Sequence, residues 1–464
     1  MESPLFQKSP INRSLVLAGG GVRLAYHAGV LKALEESSLK FNHVDGTSGG
    51  IFNTAMLASG LNADEIIFNW KKLNVFHFMS PTPLRNYLKL SRMNAMGDAD
   101  GIRKNVFPTL GFDISKIRNN SKFHTSFNVC NFSTKEIEAI SGEKITEDHL
   151  IAGMSLPIFM PSIKIGNDWY TDAVWVKDAN LMEAVKHGAD EIYLVYCIGN
   201  SREYLEGSFL QYVHMIEMSA AGGLLAEFDW LVEINKQILS GNSPYGQAKP
   251  IKLHVIKPTY PLPLDPDMFF GHINIISLIN MGYAHTKEYL QLTENKGVNL
   301  DYKASLMKEP GVSFQFQAEF EGIIDIENNA TKAIINLIFD FRKQENIPLD
   351  HFFYGSIYLE ELQKHICFYN TKLENNDALI LSSNFYFIST IYSFSAEIML
   401  NNSLDFRLGF EFKLMKVTIN SNKQTIFEQS IRSRLKSVLK SKIYLNGSFI
   451  KRIKAKNEIL KLIF

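Results

Sequence analysis

"LVLAGGGVRLAYHAGVL", residues 15–31, runs an apolar strand-like segment into three successive glycines. Apolar residues at helical spacing follow, with Val30, Leu31 and Leu34 on one side. A strand that turns through glycine into a helix is a unit of α/β architecture. The pattern recurs outward from it. "FNHVDGTSGG", residues 41–50, closes a second strand on glycines, and "IFNTAMLASG" continues as a helix that Gly60 can terminate. "HTSFNVCNF", "EIYLVYC" and "IKLHVIKP" read as further strands with helical patterns between them. The chain to about residue 295 is therefore expected to be α/β: a mostly parallel sheet flanked by helices.

The character of the sequence changes near residue 300. "GVSFQFQAEFEGIIDI", "DHFFYGSIYL", "ALILSSNFYFISTIYSFSAEIML" and "LDFRLGFEFKLMKVTI" alternate or carry β-branched and aromatic residues, with Asn-rich breaks between them. They predict a smaller, β-rich, antiparallel C-terminal domain. The boundary falls between Asn295 and Pro310, dividing residues 1–300 from 301–464.

What the first glycines hold decides the chemistry. A dinucleotide loop needs G-x-G-x-x-G, and after Gly19 and Gly21 the third place is Leu24. No Walker sequence is present. Downstream, Gly46-Thr47-Ser48-Gly49-Gly50 fits G-x-S-x-G, in which a serine sits on a sharp strand-to-helix turn. In a parallel sheet both glycine turns open at the carboxyl edge. The Gly19-Gly20-Gly21 amides can then face the volume where Ser48 Oγ attacks, as an oxyanion hole built without side chains. A serine nucleophile also needs a base. His27, His124 and His254 stand in no triad context. Asp172, in "WYTDAVWVKDANL", follows an aromatic strand end; the residues alone leave it open between a base and a turn or N-cap aspartate.

These boxes, in this order, resemble the patatin-like phospholipase family, whose pattern is G-G-G-x-[KR]-G, then G-x-S-x-G, then Asp-Gly. Here they stand as Gly19-Gly20-Gly21-Val22-Arg23, Gly46–Gly50 and Asp172-Ala173, and the likeness covers about residues 12–295. The resemblance implies a Ser48–Asp172 dyad with no histidine, cleaving acyl esters of phospholipids or related lipids in the manner of a phospholipase A. The amides of Gly19, Gly20, Gly21 and Gly49 would hold the oxyanion. Arg23 would steady the glycine loop or attract a lipid phosphate. No metal or other cofactor is implied. Leu24 and Ala173 stand where the family has glycine; the alanine would matter for turnover if its place needs a positive φ, and the larger leucine would narrow the acyl groove or tilt the loop. An acyltransferase or thioesterase with the same dyad, and a weakly active scaffold that binds a partner, are the alternative readings.

Apolar residues make up 46% of the chain and charged ones 21%, and 48 basic residues balance 48 acidic ones. That balance gives no general attraction to nucleic acid. Cys130, Cys197 and Cys367 are far apart and read as reduced, buried thiols. The start, "MESPLFQKSPINRS", lacks the apolar core of a signal peptide, and no stretch reaches the ~18 apolar residues of a membrane span. A cytoplasmic protein is expected, touching membrane only peripherally. From Ile431 to Phe464 basic residues accumulate, among them Arg432, Arg434, Lys436, Lys440 and Lys442, and Glu458 is the one acid. Ile431, Leu435, Val438 and Leu439 fall on one face of a helix. Two readings remain: a solvated helix on the β-rich domain, or a basic amphipathic segment lying on an anionic membrane.

Overall fold

The computed structural model describes residues 3–7, 9–78, 80–81, 95, 97–202, 204, 206–263, 273–293, 296–326, 329–343, 350–375, 378–399, 414–421, 424–433 and 444–446. The chain divides into two compact units. One comprises Met1–Gly271 and Tyr289–Lys308, the other His272–Glu288 and Glu309–Phe464.

The first unit is built on one eight-stranded sheet: β1 (Arg13–Leu17), β2 (His43–Thr47), β3 (His124–Asn131), β4 (Glu136–Ser141), β5 (Ile163–Ile165), β6 (Asp168–Asp172), β7 (Glu191–Val195) and β8 (Lys252–Ile256). Their spatial order is β8-β7-β1-β2-β3-β6-β5, with β4 also paired to β3. Every pairing from β8 to β3 is parallel, whereas β4 and β6 run antiparallel to β3, and β5 antiparallel to β6. Leu15, Val16 and Leu17 alternate between the two faces of β1, yet all three are fully buried. Both faces are covered, which is why this strand reads as a continuous apolar run. Helices α1 (Ala25–Glu35) and α2 (Gly50–Ala58) follow β1 and β2. A longer helix, α3 (Ser208–Leu239), turns Ala220, Leu224, Phe228, Leu231, Ile234 and Ile238 into the core at helical spacing. Cys130, Cys197 and Cys367 are buried free thiols.

In the second unit eight strands form an up-and-down antiparallel meander: β9 (Val312–Ile326), β10 (Asn329–Lys343), β11 (Asp350–Leu359), β12 (Lys364–Asn375), β13 (Ala378–Phe387), β14 (Thr390–Met399), β15 (Leu414–Ser421) and β16 (Gln424–Ser433). β9 pairs with β10 along its length and with β16 at Phe320 and Glu321, so the sheet closes into a barrel. Alternate residues, among them Phe314, Phe339, Phe353, Phe368, Phe385 and Phe394, fill the interior. Helix α4 (Ile275–Leu292) begins in this unit and meets the outer face of the wall. There Asn280 Nδ2 donates to Ser356 Oγ at 3.0 Å, and His285 Nε2 lies 2.8 Å from Tyr354 Oη.

The helix expected from Ile431 onward does not start there. Ile431–Ser433 close β16, and Ile431 packs into the barrel core. Apart from Tyr444–Asn446, a short strand paired to β9, the remainder of the basic segment lies outside the described residues.

Candidate active site

Leu17 of β1 pairs with Gly46 of β2, so the glycine turns that follow them open at one edge of the sheet. β2 ends at Thr47 against Asn128 of β3. β6 comes from the opposite direction and ends at Asp172 against Val129. Neighbouring residues of β3 thus hold the ends of two converging strands, and Ser48 and Asp172 meet where those strands finish. Ser48 Oγ donates to Asp172 Oδ2 at 2.7 Å. The other carboxylate oxygen, Oδ1, accepts the Val174 N–H at 2.9 Å, which fixes the rotation of the group and leaves Oδ2 to the serine. Burial pushes the Asp172 carboxyl up to about 7, against the opposing pull of the Val174 N–H and the Ser48 hydroxyl.

Ser48 has φ +51°, a left-handed conformation in which a non-glycine residue is strained. The surrounding packing enforces it. Ile51 N–H donates back to Ser48 O at 3.1 Å as α2 begins. A Cβ on Gly46 would meet Thr54 Oγ1 at 2.5 Å, and one on Gly50 would collide with the Leu17 carbonyl. Both outer glycines of the motif are therefore steric requirements of the turn. Asn128 holds the end of β2 in place: its Nδ2 donates to Asp45 Oδ1 at 2.7 Å and Thr47 Oγ1 at 2.9 Å, while its Oδ1 accepts Asn180 Nδ2 at 2.9 Å.

The first glycine turn lies directly against the serine. A Cβ on Gly19 would stand 2.7 Å from Ser48 Cβ. Gly20 and Gly21 have φ of +154° and +62°, which glycine adopts without penalty. Gly19 N–H donates to Asp178 Oδ1 at 2.9 Å and is committed there. That leaves Gly20 and Gly21, with Gly49 at the N-cap of α2, as the candidate oxyanion donors. Arg23 curls back on the loop, its Nε donating to Gly20 O at 2.8 Å.

Asp178 escaped the sequence reading, although it lies in the same "DAVWVKD" stretch as Asp172. It is fully buried, its Oδ2 has no hydrogen-bond partner, and burial, the Gly19 contact notwithstanding, pushes its carboxyl up to about 8. A neutral acid at this position keeps a second negative charge away from the dyad while still accepting the Gly19 N–H. Asp178→Asn preserves that acceptor and should retain near-parental labelling of Ser48 by a fluorophosphonate at neutral pH. Asp178→Leu removes the acceptor, frees the loop and should slow labelling by about tenfold or more. Equal rates for the two variants would remove Asp178 from any role in holding the loop.

Neither departure from the family pattern strains the backbone. Leu24 has φ −73° and is fully buried, with its side chain packed on the α-carbon of Gly49 and its carbonyl accepting Asn53 Nδ2 at 3.1 Å. Ala173 starts a buried 3-10 turn and has no left-handed φ. The histidines stand apart. His27 is fully buried in α1, pushed down to about 3 by burial, and neither ring nitrogen has a hydrogen-bond partner. His254 stacks on Tyr193, and His124 starts β3 at the opposite edge of the sheet.

Residues 15–185 match the family model for patatin-like phospholipase, a family of lipid hydrolases. No curated protein matches the chain. Among solved structures, VipD from Legionella pneumophila is similar at 13% identity, covering 62% of this chain and 67% of that one with a TM-score of 0.33. The type III effector protein ExoU is similar at 10% identity, covering 64% and 77%, with a TM-score of 0.22.

Proposed function

We propose that this chain, whose residues 15–185 form a patatin-like phospholipase domain, cleaves acyl esters of phospholipids through a Ser48–Asp172 dyad. The 2.7 Å hydrogen bond from Ser48 Oγ to Asp172 Oδ2, on a serine held at φ +51°, carries the reading. Ser48 Oγ attacks the acyl carbonyl and its proton passes to Asp172 Oδ2. The negative charge that develops on the carbonyl oxygen meets the Gly20, Gly21 and Gly49 amides, which are fixed before the reaction begins. Asp172 returns the proton to the leaving alcohol, leaving an acyl-serine. Water, deprotonated by the same carboxylate, attacks the acyl carbon, and Asp172 passes that proton to Ser48 Oγ as the acyl–oxygen bond breaks and the fatty acid leaves. Arg23 acts through its bond to Gly20 O, as a brace of the loop.

Two measurements test this. A fluorophosphonate should label Ser48 and no other residue. Incubation with mixed phospholipids, read by mass spectrometry, should release fatty acids and lysolipids; an acyl product on an acceptor other than water would redirect the reading to acyl transfer.

The pH profile follows from the two buried carboxyls. Only ionised Asp172 can take the serine proton, so kcat/KM should rise with unit slope up to about pH 7. Ionisation of Asp178 at about 8 places a charge beside the loop that must stabilise an oxyanion, so activity should fall again above that pH. Asp178→Asn should abolish the alkaline fall and leave the acid limb in place. An alkaline fall that persists in Asp178→Asn would assign it to another group.

A further inference from the structure

In an up-and-down barrel the hairpin turns alternate between its two ends. The turns β9–β10, β11–β12, β13–β14 and β15–β16 therefore crowd together at one end. Every large apolar side chain that is exposed among the described residues of this unit belongs to that end. Ile323 lies three residues from the β9–β10 turn, Leu362 within the β11–β12 turn, and Ile388 and Ile391 at the β13–β14 turn. Ile426 sits just inside β16. Ile323, Ile388 and Ile391 are 63%, 61% and 58% exposed. Scattered exposed apolar residues are ordinary, but their restriction to one rim is not.

The β13–β14 hairpin is the most unusual part of this rim. Its two turn residues, Ile388 and Ser389, have φ of +42° and +64°. Two-residue turns of this kind favour Asn-Gly, because both positions need a left-handed backbone. An exposed isoleucine is poorly suited there, since a β-branched residue is strained in that conformation and gains no burial from the fold. From Ala378 to Ala396 the sequence carries no Asp, Glu, Lys, Arg or His. Beside the neighbouring turns Lys332 Nζ lies 3.0 Å from Glu321 and 3.4 Å from Glu360. The rim thus presents apolar tips, with an uncharged hairpin at the β13–β14 turn and acids such as Asp325 and Glu361 at the neighbouring turns, which would repel an anionic surface. The interior is filled by its own aromatic side chains and offers no cavity to a ligand among the described residues. What such protruding, uncharged tips fit is a surface that yields around them and offers hydrocarbon beneath neutral head groups.

We propose that this end of the barrel docks on a zwitterionic lipid surface, with the Phe387–Ile391 tip entering the boundary between head groups and acyl chains. The proposal takes from the acyl-lipid reading only the class of substrate. It is independent of the basic segment after Ile431, which would instead seek anionic lipid.

Flotation with phosphatidylcholine vesicles tests it, using the full chain carrying Ser48→Ala so that binding is read without turnover. The chain should float with the vesicles, and raising the salt should not release it. Ile388→Asn with Ser389→Gly supplies the residues that the turn favours. This pair should raise the unfolding temperature and yet weaken vesicle binding by about tenfold or more. Ile391→Asn should weaken binding similarly. In chains that keep Ser48, hydrolysis of a soluble short-chain ester should be unchanged by the tip substitutions. Vesicle binding with no ester hydrolysis by the parent would sink the acyl-hydrolase reading while supporting the docking surface. Three results would overturn the docking surface: tip variants that bind as the parent does, binding that requires anionic lipid and is lost in salt, or a parent dimer that the tip variants dissociate.

Discussion

Ser48→Ala and Asp172→Asn are each expected to lower kcat by about 10⁴-fold or more, because in the proposed mechanism nucleophile and base act as a unit and either loss stops the same step. Alanine removes the attacking oxygen. Asparagine cannot take the proton, and its amide can point an N–H at Ser48 Oγ where a lone pair is needed. Unfolding is excluded by a measurement of opposite sign. The Asp172 carboxyl stands at about 7 in the folded chain, against an ordinary 3.8. Its contribution to stability is therefore full below about pH 4 and is lost as the pH rises towards 7. At pH 8 the buried charge opposes folding, and Asp172→Asn should be more stable than the parent, by on the order of 1–4 kcal/mol. Thermal unfolding at pH 8 beside a lipid assay reads both effects. His27→Ala should keep substantial activity, since His27 bonds to neither member of the dyad. A folded His27→Ala protein as inactive as Ser48→Ala would make the histidine-free mechanism untenable.

The elements most legible in the sequence are those that leave little choice of residue. β1 and β2 read as strands because both of their faces are buried. The glycines around Ser48 read as a turn because Gly46 and Gly50 have no room for a Cβ. The antiparallel course of β6 was not legible, since a strand's direction depends on its partner, and Asp172 finds that partner at Val129 of β3. Asp178 was missed for a related reason: what gives it a role is a single N–H, on Gly19, far away in the chain. Alternation in the C-terminal half pointed to antiparallel strands but could not show closure, which rests on β9 meeting β16 across the length of the unit. The sequence reading divides the chain once, near residue 300, whereas the contacts group His272–Glu288 with the barrel. That grouping is accompanied by polar bonds such as Asn280 to Ser356, which no apolar periodicity announces.

Gly50→Ala is expected to have the largest effect on folding of any glycine substitution at the elbow. Its Cβ would fall inside the carbonyl of Leu17, with the Leu17 carbonyl carbon at 2.7 Å and Ala18 O at 2.9 Å. These are backbone atoms at the end of β1, where Leu17 is held on both sides by the ladders to β2 and β7, and they cannot swing away. Either α2 lifts from the sheet or β1 shifts, and each movement separates Ser48 from Asp172 and from the glycine loop. A loss of about 3 kcal/mol or more is expected, together with loss of fluorophosphonate labelling. Two other glycines calibrate the measurement. At Gly49 the obstacle is the Leu24 side chain, which can repack, so alanine there should cost less. At Gly60 a Cβ meets nothing within 4 Å and only the φ of +91° is strained, which predicts about 1 kcal/mol and unchanged labelling. The order Gly50, Gly49, Gly60 in denaturant unfolding is the expected result. If Gly50→Ala unfolded like Gly60→Ala and still labelled at Ser48, the start of α2 could not lie against the Leu17 carbonyl, and that packing could not be what holds Ser48 at φ +51°.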